Sequence, residues 1–243
     1  MKNRLDRMGS KLGWQLFPGR MIQRASPRPD PRLEEVYLSR GLILIHIPKN
    51  AGTSVEDAIY GYRVRHRTWE QVQALCPTAW ETLPKAAIIR DPVDRFLSAF
   101  DYLKSGGRNE SDRRFAARMI GSQSVDAFLE RLVTDAALRE LALEYFHLRR
   151  QADYVCSPEA VMVDHLIPFE RMAEGLSAVA GVPPDALQHS NRTRGQRTRK
   201  EHLAHGSLDH IRGLYAPDIA LYDRALAAWP ANAPPRPAVA EPT

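Results

Sequence analysis

The apolar run Leu42–Ile47 (LILIHI), stopped by Pro48 and followed by Lys-Asn-Ala-Gly-Thr-Ser, constrains this chain more than any other feature. It is short, partly β-branched and nearly continuous, which predicts a strand buried on both faces of a parallel sheet. Thr53 and Ser54 are good N-cap types, so a helix is expected to begin over Val55–Tyr60. The unit then recurs. Lys85–Ile89 (KAAII) reads as a second buried strand, and Pro92 falls where a first helical turn tolerates it. Phe96, Leu97, Phe100 and Leu103 follow helical spacing. Val125–Leu132 and Ala136–Leu148 read as helices, and Val161–Phe169 as a third strand. Glu170–Ala180 reads as a helix, and Leu208–Trp229 as one long closing helix kinked at Pro217. Strand, loop and helix in this order predict an α/β fold with a central parallel sheet.

The loop Pro48, Lys49, Asn50, Ala51, Gly52, Thr53, Ser54 has a readable chemistry. Gly52 lets the backbone come close to a ligand. The free N–H groups of the next helix point at one place, where an anion is favoured. Thr53 and Ser54 add hydroxyl donors, and Lys49 adds a mobile cation. The loop is not the nucleoside-triphosphate pattern G-x-x-x-x-G-K-[ST], because Lys49 precedes Gly52 and only one glycine is present. That order counts against ATP or GTP hydrolysis. A second anion site is expected at Arg90, which ends the second strand where open α/β sheets place ligands. Ser98 lies two turns along the following helix. An arginine fork with a serine hydroxyl suits a phosphate monoester. Asp94 and Arg95 read either as further groups at this site or, equally well, as an ion pair on that helix's surface.

Length and composition bound the rest. A chain of 243 residues with 44% hydrophobic and 26% charged residues is an ordinary single domain with tails. Residues 33–230 are expected to form that domain, with a basic arm at 1–32 and an Ala/Pro-rich tail at 231–243. The net charge of +5 sits in the arm, where eight Lys and Arg face two Asp. The arm reads as disordered, with peripheral contact to a membrane face as its sharper alternative. No apolar leader or membrane-length segment is present, and Cys76 and Cys156 have no ligand spacing. A cytoplasmic location and no nucleic-acid partner are therefore expected.

The segment HIPKNAGTS (His46–Ser54) resembles the 5'-phosphosulfate loop H-I-P-K-T-[AG]-G-T-S of the carbohydrate branch of sulfotransferases, departing from it at Asn50. Arg90, Asp91, Pro92, Arg95, Ser98 and Phe100 match that family's 3'-phosphate motif R-[DN]-P-x-x-R-x-x-S-x-[YF]. The resemblance runs roughly from Leu42 to Tyr222. It implies a P-loop-like three-layer α/β/α fold, 3'-phosphoadenosine 5'-phosphosulfate (PAPS) as donor and no catalytic metal. The acceptor it implies is a hydroxyl, typically of a carbohydrate. Pro48 to Ser54 would hold the 5'-phosphosulfate, Arg90 and Ser98 the 3'-phosphate, and Arg192 a covering loop.

Transfer also needs a base for the acceptor proton. His66 leads, because the family pattern H-x-T-x-x-x-[ILV]…W…[RN]-x-P is met by His66, Thr68, Val72, Trp80 and Arg90–Pro92. His147 is next, with Gln151 expected on the same helix face. His46 is expected to pack beneath the loop. Glu56 and Asp57 read as acidic residues favouring a helix start. Two rival classes stay open at this point. A nucleotide kinase or NTPase would need its lysine at the helix start and an aspartate for Mg²⁺. A non-catalytic anion-binding module would need only the loops.

Overall fold

The computed structural model describes residues 28–187 and 198–229. The first element, α1 (Pro31–Arg40), lies in the stretch read as the end of the arm and just beyond it. Asp30 caps it by accepting from the Leu33 amide at 3.0 Å, Pro31 opens its first turn, and Gly41 closes it at φ 66°. Arg32 sits 5.3 Å over the Tyr62 ring, so this end of the basic segment is folded onto the body.

Three parallel strands form a sheet in the order β1 (Ile43–Ile45), β2 (Lys85–Ile89), β3 (His165–Pro168). Ile43 pairs with Lys85, and Ala86 with His165. The predicted second strand has the observed limits, while the first and third are cores of the predicted runs. All three β1 residues are buried, as a parallel strand requires. Its outer backbone is satisfied by one side chain. The Tyr60 hydroxyl donates to Leu42 O and accepts from Leu44 N, both at 2.9 Å.

Helices α2 (Gly52–Ile59), α3 (Trp69–Leu75) and α4 (Pro77–Thr82) lie between β1 and β2. After β2 come α5 (Pro92–Lys104) and α6 (Glu110–Phe115), which runs into a π-helical turn at Ala116–Ile120. Then follow α7 (Val125–Thr134), α8 (Ala136–Glu144) and the single turn α9 (Ala152–Val155). Beyond β3 lie α10 (Met172–Ala180), α11 (Ser207–Leu214) and α12 (Ala216–Ala228). The result is a mixed α/β fold around a small parallel sheet.

Four expectations are corrected. The closing segment is two helices, because the first ends at Tyr215 and Pro217 opens the second rather than kinking it. The helix read as Ala136–Leu148 stops at Glu144, which puts His147 in a turn. Glu170 belongs to a short 3₁₀ turn (Phe169–Arg171) ahead of α10. Thr53 and Ser54 lie inside the first turn of α2, whose N-cap is Ala51 with no side-chain cap.

Two apolar clusters make the core. One packs β1, β2 and β3 against α1–α4 and α12, through Tyr37, Leu44, Val55, Ile88, Ile167 and Leu221. The other is helical, through Phe96, Phe100, Phe115, Phe128, Leu129 and Ile211. The candidate site is built on the segments that follow the carboxyl ends of β1 and β2.

Candidate active site

The loop after β1 is strained and tightly held. Lys49 (φ 72°) and Ala51 (φ 59°) are both left-handed, at about 1–2 kcal/mol each for residues with a Cβ. Such turns direct successive backbone N–H groups inward, and Gly52 and Thr53 open α2 ahead of its i→i−4 ladder. Gly52 is required by what lies beneath it. A Cβ there would meet the His46 ring at 1.9 Å. His46 thus underlies the loop, as expected, and its Nδ1 lies 2.7 Å from Glu56 Oε1. Glu56 is buried and also accepts from the Arg65 amide at 2.8 Å. It therefore does more than favour a helix start: it ties the loop's floor to the segment carrying His66. Asp57 pairs with Arg63 at 2.9 Å.

Donors from the second motif hold the loop from the other side. Arg90 donates to Lys49 O at 3.1 Å and stacks 4.8 Å from the Phe169 ring. Arg95 is a correction: it is buried rather than part of a surface pair. Its Nε donates to Pro48 O at 3.2 Å and its second amino group to His147 O at 3.4 Å. Asn50, at the position where the loop departs from the family pattern, is 1% exposed and donates to Ile88 O at 2.6 Å and Gln151 Oε1 at 2.8 Å. Gln151 donates to Arg90 O at 2.8 Å and accepts from the Arg90 amide at 3.0 Å. Asp218 of α12 accepts from the Gln151 and Ala152 amides at 2.8 and 2.9 Å. Burial pushes the Asp218 carboxyl upward despite Arg95 and these two amides. Gln151 thus shares no helix with His147; it joins the two anion motifs.

Ser98 is half-buried on α5, on the face that also carries Asp94 and Asp101. The chain returns over that face. Thr198 donates to Asp101 from its amide and hydroxyl at 2.8 and 2.6 Å, and Lys200 reaches Asp91 and Asp94 at 3.0 and 3.1 Å. Asp94 therefore pairs with Lys200, not Arg95. Arg192 lies outside the described residues.

The two candidate bases come together. The His66 and His147 rings are 6.0 Å apart, with Phe146 packed on both at 5.5 and 4.0 Å. His66 Nδ1 lies 3.3 Å from His46 O, so that nitrogen carries the hydrogen and Nε2 keeps the lone pair. Burial first, then the His46 and His147 imidazoles and Lys49, push its pKa down to about 2. His147 directs Nε2 at Asp112 Oδ1, 3.5 Å away, and its Nδ1 is buried without a partner. Burial also lowers its pKa, against the pull of Asp112. Both imidazoles are neutral at pH 7.

Asp112, on α6, was not read from the sequence, where it looks like any acid in a first helical turn. It is fully buried and accepts from Tyr102 at 2.6 Å and Tyr145 at 2.5 Å. Burial alone would raise its carboxyl, but hydrogen bonds from His147, Tyr102 and Tyr145 hold it below the usual range. Tyr102 in turn lies beneath the catalytic-lysine candidate, with Lys49 Nζ 4.2 Å from its ring centroid. A separate open cleft of about 330 Å³, lined by Asp57, Gly61, Tyr62, Arg63 and Arg65, includes neither Lys49 nor Arg90. Among the described residues no group of three or more His, Cys, Asp or Glu is placed to hold a metal ion, and no helix is long and apolar enough to cross a membrane.

The site therefore joins a strained anion loop, arginines braced against its carbonyls, a lysine and two neutral imidazoles. Comparison with known proteins agrees with that chemistry. The sequence model of the sulfotransferase family matches residues 39–223, from the end of α1 into α12. Neither the curated proteins nor the solved structures supply a match. With the match spanning well over half of its length and both anion motifs, the chain belongs to the sulfotransferase family.

Proposed function

We propose that the protein transfers a sulfuryl group from PAPS to an acceptor hydroxyl, with a carbohydrate as the acceptor class, on a P-loop-like three-layer α/β scaffold. The observation that carries this reading is the docking of the second anion motif on the first: Arg90 and Arg95 donate to Lys49 O and Pro48 O. One ligand with a phosphosulfate at one end and a phosphate monoester at the other fits two anion sites built as a unit. The residues present suit such a donor. The left-handed turn and Gly52 supply backbone N–H groups, and Arg90 and Ser98 supply the polar groups for a 3'-phosphate. A covering role for Arg192 belongs to the same reading, as does the domain at residues 33–230 between its two tails.

Sulfuryl transfer is chemically akin to loose phosphoryl transfer, in which positioning and charge stabilisation dominate. Lys49 neutralises charge growing on the leaving phosphate oxygen. His66 acts as the base through Nε2, since Nδ1 is committed to His46 O. His147 lies behind it as an acceptor-side residue. The protein works in the cytoplasm, with the basic arm able to meet a membrane face and with no metal or nucleic acid in the reaction. Labelled PAPS with a panel of oligosaccharides, lipid-linked glycans and small hydroxyl metabolites tests the reading by mass shift. A sulfated sugar product is the expected result. Phosphate transfer from ATP with Mg²⁺, and none of sulfate, would replace it with the kinase reading.

A further inference from the structure

We infer that Tyr102 is a positioning residue for Lys49 and that Asp112 sets it in place. The inference rests on the catalytic role proposed for Lys49. Neither residue belongs to the loop–helix that carries Lys49: Tyr102 is on α5 and Asp112 on α6.

Three contacts point to this arrangement. The Lys49 ammonium lies 4.2 Å from the Tyr102 ring centroid, well inside cation–π range. The Tyr102 hydroxyl is fixed at its far end by Asp112 Oδ2, 2.6 Å away, so the ring cannot swing without breaking a charge-assisted hydrogen bond. The same carboxylate holds Tyr145 and His147 through its other oxygen, at 2.5 and 3.5 Å. One buried anion thus registers the berth of the lysine and the orientation of the second imidazole. The backbone is shaped around it. Gly107 is left-handed at φ 62°, and a Cβ there would meet Asp112 Cβ at 2.2 Å. The Arg108 amide closes the ring of donors at 3.0 Å to the Tyr102 hydroxyl and 3.2 Å to Asp112.

The chemistry follows from the ring. A lysine on a flexible four-carbon stem loses precision unless something limits its positions. An aromatic face attracts the ammonium without neutralising it and without taking its protons. The ring thereby limits where the Lys49 ammonium can go and covers one side of it. By accepting the phenolic hydrogen bond, Asp112 raises the electron density of the ring, which strengthens its hold on the ammonium.

The berth is tested in protein labelled with ¹³C-lysine, before any turnover. The Lys49 Hε signal, identified by its loss in Lys49→Arg, is expected upfield of the other lysines through the Tyr102 ring current. Tyr102→Phe keeps part of that shift, because the ring remains while its tie to Asp112 is lost, and Tyr102→Leu abolishes it. A Lys49 signal at the ordinary position in the unmodified protein overturns the inference. Turnover gives the second arm, with labelled PAPS and an active acceptor. Tyr102→Leu lowers kcat about tenfold with the affinity for adenosine 3',5'-bisphosphate unchanged, Tyr102→Phe restores most of it, and Tyr102→Leu adds nothing in a Lys49→Ala background. Equal losses in the Leu and Phe variants, or additive losses with Lys49→Ala, overturn the positioning role while leaving sulfuryl transfer intact. An upfield Lys49 signal in a protein inert toward PAPS would sink the proposed reaction and leave the berth standing. Asp112→Asn should reduce the Lys49 shift as Tyr102→Phe does; an undiminished shift in Tyr102→Phe overturns the part given to Asp112, and that variant carries this arm alone if Asp112→Asn unfolds the protein.

Discussion

The donor loop and the histidine cluster lie side by side but are built differently. Pro48–Ser54 is held through its carbonyls, by Arg95 on Pro48 O and Arg90 on Lys49 O, and through the Asn50 side chain, which donates to Ile88 O. His66 and His147 are held through their rings, by stacking on Phe146 and by one nitrogen each on a carbonyl or carboxylate. The first construction fixes the course of the loop's backbone. The second leaves one lone pair on each imidazole, and burial disfavours the charged form of both rings. In the proposed reaction the loop would meet the charged donor and the rings would face the acceptor. Arg95 belongs to both regions, since it donates to Pro48 O and to His147 O.

The largest effect that separates the two regions is expected at Lys49. Lys49→Ala should cut transfer by at least about 10²-fold while adenosine 3',5'-bisphosphate still binds, as for loss of a charge-stabilising group. Rapid transfer by this variant in a labelled-PAPS assay would remove the loop from the chemistry. Arg95→Met comes next, because it strips charge-assisted donors from two carbonyls at once. A destabilisation of about 3 kcal/mol is expected in urea melts. A change under ~1 kcal/mol would mean that the two regions are not joined through this side chain.

Gly52→Ala should cost about 1–3 kcal/mol and weaken donor binding, since its Cβ would overlap the His46 ring. His46→Ala in the same chain should restore binding, as measured by titration with adenosine 3',5'-bisphosphate. Failure of that rescue would show that the ring is not what demands glycine. The smallest effect is in the pH dependence. His66 has its folded pKa pushed down to about 2, so below the ordinary histidine value of 6.5 the unfolded chain binds the proton and the folded one does not. Stability therefore falls as pH drops from about 6.5, and His147, lowered in the same direction, adds to the fall. His66→Ala should flatten the decline of Tm between pH 6.5 and 5. An unchanged slope would place the titrating group elsewhere.

The two regions also differ in how far the sequence discloses them. The loop is local: a buried run, a proline, a lysine and a glycine lie within a dozen residues, and β2 follows the Lys85–Ile89 pattern residue for residue. The places of Arg90, just beyond β2, and Ser98, on the helix that follows, were legible for the same reason. The histidine cluster is assembled from Val64–Thr68, α5, α6 and the turn after α8, and no periodicity links these. Asp112 sits in ESDRRF, where an acid at a helix start is ordinary, and only folding brings it to Tyr102, Tyr145 and His147. Arg95 looked like a surface residue because its neighbour Asp94 is acidic; its burial depends on a loop 47 positions earlier. The early end of α8 was missed as well, since Leu-Glu-Tyr-Phe-His-Leu continues a helical pattern that Tyr145 breaks by turning extended at ψ 125°.

Ligand-dependent melting tests the central claim, two anion sites built as one for a phosphosulfate donor, most directly. Adenosine 3',5'-bisphosphate should raise Tm by several degrees in the intact protein, Arg90→Ala should abolish most of that rise, and ATP with Mg²⁺ should leave Tm unchanged. A rise with ATP and Mg²⁺ and none with the bisphosphate would contradict the account.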